Sequence, residues 1–169
     1  MYTRELNRKD AKDCYNLRLE ALLNSPDAFI TTYEQEKQRP DPIKTFEDRL
    51  DSNESHTFGI FEDHHLKGVV TLVQETHPKF AHKASIVAMY VTPAYRRSGA
   101  GEKLMQEAIN FARAINIEIL QLSVVSENKP AKYLYEKMGF HRFAFEKHAI
   151  KLPQRYLDEE HMSKFLQEN

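Results

Sequence analysis

Cysteine is almost missing from the 169-residue chain: Cys14 stands alone, so no internal disulfide can form and no thiolate pair is available to a metal. A reducing compartment is the expected setting. Histidine is present 8 times, but no HxxxH or CxxC spacing occurs, and no metal is expected. An excess of basic charge is also lacking, since 24 Lys and Arg face 25 Asp and Glu for a net charge of −1, whereas a phosphate backbone is held by a basic surplus. Nucleic acid is therefore not an expected partner. No stretch approaches the ~20 apolar residues that span a bilayer, and the N-terminal MYTRELNRKDAKDC has no apolar h-region of a secretory signal. These absences predict no membrane partner and a cytoplasmic location. Repeats, low-complexity tracts and Gly/Ser linkers are absent too, and Gln38 to Pro42 reads as a loop between elements. What remains, 41% hydrophobic and 29% charged residues, predicts a single domain over 1–169 with a packed core and a soluble surface.

The apolar spacing sets the expected elements. Ala11, Cys14, Leu17 and Ala21 share one helical face between Asp10, a candidate N-cap, and Ser25-Pro26. A short helix is predicted from Ile43 to Leu50. Strand-like runs follow at Thr57 to Glu62 and Lys67 to Gln74, close enough for a hairpin. The nearly continuous apolar run Ala84 to Val91 reads as a central strand covered on both faces. Leu104, Ala108, Phe111 and Ile115 predict an amphipathic helix from Gly101 to Ile115, Ile117 to Val125 another strand, and Pro130 to Met138 a helix with proline at its first position, closed by Gly139. The expected order is helix, helix, three strands, helix, strand, helix, strands. The strand–helix–strand crossover makes 84–91 and 117–125 a parallel pair in a mixed sheet, so the class is α+β or mixed α/β with about four helices.

Glycine is scarce, only 5 in the chain, yet two of them, Gly99 and Gly101, fall one residue apart where the central strand meets its helix. Without Cβ atoms the backbone there can turn tightly and approach a ligand, and the first N–H groups of the following helix have no intrahelical partner. Such a junction binds anions, and a pyrophosphate fits it. Arg96 and Arg97 add positive charge; the alternative reading is a turn glycine and a helix-cap glycine flanked by solvated arginines. Leu104 stands where a dinucleotide fingerprint needs Gly or Ala, and no GxxxxGK[ST] run exists.

Two segments carry a resemblance. Arg96-Arg97-Ser98-Gly99-Ala100-Gly101, preceded by Tyr90-Val91-Thr92-Pro93, is similar to the Q/R-x-x-G-x-G/A loop of the GNAT superfamily of acetyl-CoA-dependent N-acetyltransferases. Asn128 to Phe140 is similar to that family's N-x-x-A-x-x-L-Y-x-x-x-G-F segment. The resemblance implies a mostly antiparallel mixed sheet with one splayed parallel pair, and acetyl-CoA as cosubstrate. It implies that the backbone of Arg97, Ser98, Gly99, Ala100 and Gly101, beside Arg96, holds the diphosphate, and that Met89, Tyr90 and Val91 pair with the pantetheine arm. Asn128 would bond that arm or cap the following helix.

Tyr135 matches the family's proton donor to the CoA thiolate, and it also shares a helical face with Ala131, Leu134 and Met138, which is a core position. Tyr133 should point away from that face. A bulge around Met89 to Val91 would supply the oxyanion donor. The base is open between Glu75, His82 and water, since the central strand carries no acid. Tyr33, Glu34, Glu36, Phe29 and Tyr156 are candidates to line the acceptor site, and residues 156–165 resemble the family's closing strand. The implied reaction is direct acetyl transfer in a ternary complex to the primary amine of a small molecule or peptide. A non-catalytic CoA-binding regulatory or interaction module is the alternative, and a nucleotide-binding domain a third reading. A homodimer is among the partners the family implies.

Overall fold

The computed structural model describes residues 1–167. The chain runs β1 (Tyr2–Glu5), α1 (Ala11–Asn24), α2 (Tyr33–Lys37), α3 (Pro42–Leu50), β2 (Ser55–Glu62), β3 (His65–Gln74), β4 (Lys83–Val91), α4 (Ala100–Ala114), β5 (Ile119–Val125), α5 (Lys129–Lys137), β6 (His141–Lys151) and β7 (Tyr156–Phe165). The α+β class holds, with five helices instead of four. Two elements escape the sequence pattern. The first, β1, is four residues without apolar alternation, added by pairing with β2. The second, α2, is five mostly polar residues started by the reciprocal cap of Thr32 and Gln35,. The expected order is corrected accordingly: a strand comes first, and a further short helix precedes α3.

Local chemistry explains the main turns. Asp10 does not cap α1 through its side chain; its carboxylate receives both Arg4 guanidinium nitrogens at 2.8 and 2.7 Å and the Asn7 N–H at 2.9 Å. That clamp fixes where β1 hands over to α1. Glu62 pairs directly with His65, so the β2–β3 loop is the two residues Asp63 and His64, both at positive φ, as a hairpin matched to strand twist requires.

The seven strands form one sheet in the order β1-β2-β3-β4-β5-β7-β6, antiparallel except where β4 meets β5. The tail strand β7 is not at the rim: it lies between β5 and β6. On one face α4 seals a core that includes Ile60, Val70, Leu72, Leu104 and Leu120. On the other, α1 and α3 cover Leu6, Leu17, Phe46, Phe61 and Val69. Burial of such side chains contributes roughly 1.5–3 kcal/mol each, which makes the two helix layers rigid walls for whatever lies between them. Among the described residues no helix is long and apolar enough to cross a membrane.

Two features open the sheet. β4 and β5 pair only through Lys83, Ala84 and Ser85 against Ile119, Leu120 and Gln121, and then separate. Beyond that point β4 carries a bulge, because Val69 faces Tyr90 and Thr71 faces Val87, leaving Ala88 and Met89 opposite Val70 alone. Ala88 takes φ 53°, so the strand bends there and its ladder is locally broken.

Candidate active site

The junction between β4 and α4 is an open cradle of donors. Arg97 and Gly99 adopt positive φ, and Gly99, the N-cap of α4, has no side chain to cap it. Among the described residues, no backbone turn bond is donated by the N–H groups from Arg97 to Glu102. Such groups at the positive end of a 15-residue helix can hold an anion. The two glycines serve different needs. A Cβ at Gly99 meets nothing within 4 Å, so that glycine is there for its φ of 83°; a Cβ at Gly101 would lie 3.1 Å from Leu134 and 3.3 Å from Met89, so that glycine lets α4 start against α5 and β4. The flanking side chains brace the loop. Arg96 Nε donates to the Val91 carbonyl at 2.9 Å, and its guanidinium lies 5.5 Å from the Tyr90 ring. Ser98 Oγ donates to the Tyr95 carbonyl at 2.7 Å.

Beside this cradle, where Gly101 packs toward Met89 and Leu134, a cleft of about 150 Å³ occupies the gap between β4 and β5, walled by Ile86, Met89, Val124, Leu134 and Tyr135, with Asn128 at its side. Tyr135 is the buried residue of α5, packed edge-on against Phe140 at 6.2 Å. Burial pushes its phenol up to about 12, because the phenolate loses hydration there. The group thus keeps its proton at neutral pH. Among the described residues its hydroxyl has no hydrogen-bond partner and is therefore free for a ligand.

On the α1–α3 side of the sheet a second hollow of about 800 Å³ opens, a size suited to a small substrate or a peptide end. It shares Val87, Ala88, Ser123 and Glu159 with the cleft, so the two meet through the sheet where β4 and β5 part. At this meeting place three side chains are joined. Ser123 Oγ lies 2.7 Å from His161 Nδ1, and His161 Nε2 lies 3.2 Å from a Glu146 oxygen. Ser123 and His161 are direct cross-strand partners of β5 and β7. Arg18 and Arg49 stand at the helical end of the hollow. Desolvation lowers the Arg18 pKa from its usual value, and beneath it Glu36 is buried at 1% exposure, 3.8 Å from Arg18 and 3.1 Å from Arg39.

The structure brings Met89, Asn128 and Tyr135 to one cleft, while Tyr90, Val91, Arg96 and the 97–101 loop fall outside its lining; the loop adjoins it only where Gly101 packs toward Leu134 and Met89. The Tyr90 phenol donates to Glu20 and accepts from Asn24 on α1, and the Val91 carbonyl is held by Arg96. The bulge sits at Ala88–Met89, slightly earlier than the sequence suggested. Asn128 caps α5, accepting from the Ala131 N–H at 3.3 Å. Tyr133 is exposed and Tyr135 is not, as their spacing implied.

Glu75 and His82 lie at the closed end of the β4–β5 pair, where the His82 carbonyl accepts from Glu118 and Ile119, and neither lines a hollow. Of the five expected acceptor-site residues only Phe29 lines the cavity. Tyr156 stacks on His148 at 4.5 Å, and Glu36 is consumed in its ion pairs. Sequence reading missed Ser123, Glu146 and His161. The available signal was polar Gln121 and Ser123 alternating within an otherwise apolar strand, a pattern that turns one face toward something other than core.

Residues 20–140 match the model described as acetyltransferase (GNAT) family. The N-alpha-acetyltransferase RimI of Mycobacterium tuberculosis is 27% identical over 138 residues, covering 81% of this chain and 76% of its own. A shorter match of 59 residues to YwnH of Bacillus subtilis, 37% identical, covers 35% of this chain and 36% of that one. The structure of YncA from Salmonella typhimurium with its cofactor acetyl-CoA superimposes with a TM-score of 0.82 at 20% identity, covering 100% of this chain and 95% of that one.

Proposed function

Because the chain belongs to the acetyltransferase (GNAT) family, we propose that it moves the acetyl group of acetyl-CoA directly onto a primary amine of a small molecule or a peptide. The observation that carries this reading is the parting of β4 from β5 after three residue pairs, with Tyr135 lining the gap and the start of α4 packed beside Met89 and Leu134 of its wall. The donor-lined loop fits a diphosphate. The open edge of β4 beyond Ser85 fits the amide-bearing arm, which gains from strand-like pairing. That the similar RimI of Mycobacterium tuberculosis is an N-alpha-acetyltransferase supports an amine acceptor. The continuous sheet from β1 to β7 supports treating the described residues as one such domain.

In this mechanism the loop N–H groups from Arg97 to Gly101 fix the diphosphate, and the Ala88–Met89 bulge presents a freed backbone N–H to the carbonyl oxygen as charge develops there. The bound thioester supplies the acetyl group. Tyr135 gives its hydroxyl proton to the departing sulfur. Cys14 takes no part, since burial pushes its thiol up to about 12 and a thiolate nucleophile needs the opposite shift. The deciding experiment incubates the protein with acetyl-CoA and a panel of amines while free thiol is followed. Sustained amine-dependent release supports transfer. Calorimetric binding of CoA without release is the behaviour of a binding module and would overturn the reading.

A further inference from the structure

We propose that Ser123, His161 and Glu146 form a proton relay that deprotonates the acceptor amine, with Glu159 as the carboxylate that draws the ammonium to it; this rests on the transfer reading above. Acetylation needs a neutral amine, yet β4 carries no acid and the two candidates near its start face neither hollow. Ser123 and Glu159 are the polar side chains of β5 and β7 that line both the cleft and the larger hollow, so an amine reaching for the thioester must pass them. Behind Ser123 the distances of 2.7 Å to His161 Nδ1 and 3.2 Å onward to Glu146 are those of a connected chain. Glu146, Glu159 and His161 present their ligating atoms within 4.8 Å of one another, so the imidazole lies beside two carboxylates.

In the resting relay His161 carries its proton on Nε2, donated to Glu146, and Nδ1 accepts from the Ser123 hydroxyl. The ammonium passes one proton to Ser123 Oγ as the serine proton passes to Nδ1. The nitrogen regains its lone pair, and the imidazolium later returns its proton to solvent through its partly exposed edge. A second proton leaves nitrogen as the amide bond forms and the carbon–sulfur bond breaks. It replaces, by way of solvent, the one Tyr135 gives to sulfur. The sum is ammonium plus thioester giving amide, thiol and one proton, with no other reactant.

The test measures thiol release from acetyl-CoA with L-lysine, an alanine-initiated tripeptide and 1,4-diaminobutane, and continues with whichever the wild type uses fastest. Ser123→Ala and His161→Gln are expected to lower kcat by ~10- to 100-fold with the amine KM within twofold, whereas Glu159→Gln raises that KM at least fivefold and changes kcat less. Nitrogen-15 shifts of the His161 ring in the CoA-bound wild type should report the Nε2–H tautomer, which a purely structural histidine need not adopt. An active wild type matched by His161→Gln, or a ring protonated on Nδ1, overturns the relay and leaves transfer standing. A wild type that releases no thiol with any of the three amines defeats the transfer reading and the relay with it.

Discussion

The two hollows that meet at the gap in the sheet are built in opposite ways. The cleft that ends at Tyr135 is lined mainly by β4, β5 and α5, which follow one another in the chain with only the turn and α4 between them, and is completed by Ala28 to Ile30, Ile150 and Glu159. The larger hollow takes its walls from α1, α3 and every strand from β2 to β7, and its polar chain joins residues 15 and 38 positions apart. A contiguous site can be fixed by local backbone rules; a dispersed one exists only once the sheet order is set. In the proposed reaction the first takes the cosubstrate and the second the acceptor.

The largest effect expected in the contiguous region comes from Tyr135→Phe, which keeps the ring against Phe140 and removes the proton. Turnover should drop by about 100-fold, while CoA affinity by calorimetry stays within twofold. Equal turnover would show that the cleft only binds, and would place all the chemistry on the acceptor side.

Next comes the entry of α4. Gly101→Val forces branched atoms onto Leu134 and Met89, already 3.1 and 3.3 Å from an added Cβ, and should weaken CoA about tenfold, roughly 1.4 kcal/mol, with unfolding stability lowered by ~1–3 kcal/mol. Gly99→Ala meets no atom but strains a φ of 83°, so its cost is about 1–2 kcal/mol in the loop conformation. A binding loss for Gly99→Ala exceeding that for Gly101→Val would reverse the roles assigned to the two glycines.

The same contrast explains what could be read from the sequence. The Gly99–Gly101 spacing, the helix from Gly101 and the crossover that makes β4 and β5 parallel follow from periodicity and turn chemistry, so that half of the fold was legible, including the side of α5 on which Tyr135 lies. The length of the β4–β5 pairing was not, because it is set by a bulge at Ala88, an ordinary residue driven to positive φ by tertiary context. Nor could the acceptor hollow be read: Glu36 looks like a solvated helix acid and is buried beneath Arg18, while Ser123 and His161 meet only through the β5–β7 register. β1 and α2 are too short to show a period at all.

The clamp at the foot of the acceptor side gives a smaller, pH-dependent effect. The hydrogen bonds from Arg4 hold the Asp10 carboxyl below its usual range against the opposing effect of burial. A carboxylate with a lowered folded-state pKa stabilises the fold above its unfolded value of ~3.9 and loses that contribution as pH falls through the folded value. Because Arg4 is partly exposed, about 1 kcal/mol is expected. Urea midpoints measured from pH 7 downward should fall more steeply below pH ~4 for the wild type than for Asp10→Asn, which begins less stable at pH 7. Parallel curves would mean that the clamp positions α1 without stabilising it.

The smallest expected effect on turnover tests whether the dispersed region hides a covalent route. Cys14 is buried on α1 at 7% exposure. Desolvation is the main cause that raises its thiol to about 12, with Asp10 acting in the same sense and Arg49 and Arg18 opposing it. At neutral pH such a thiol is essentially all protonated, and nucleophilic sulfur chemistry depends on the thiolate. Cys14→Ala should therefore leave acetyl transfer within twofold of wild type while removing a small apolar contact worth roughly 1 kcal/mol of stability. If the variant folded, bound CoA normally and transferred nothing, the acetyl group must first reside on sulfur, and the side of the sheet assigned to the acceptor would instead hold the nucleophile.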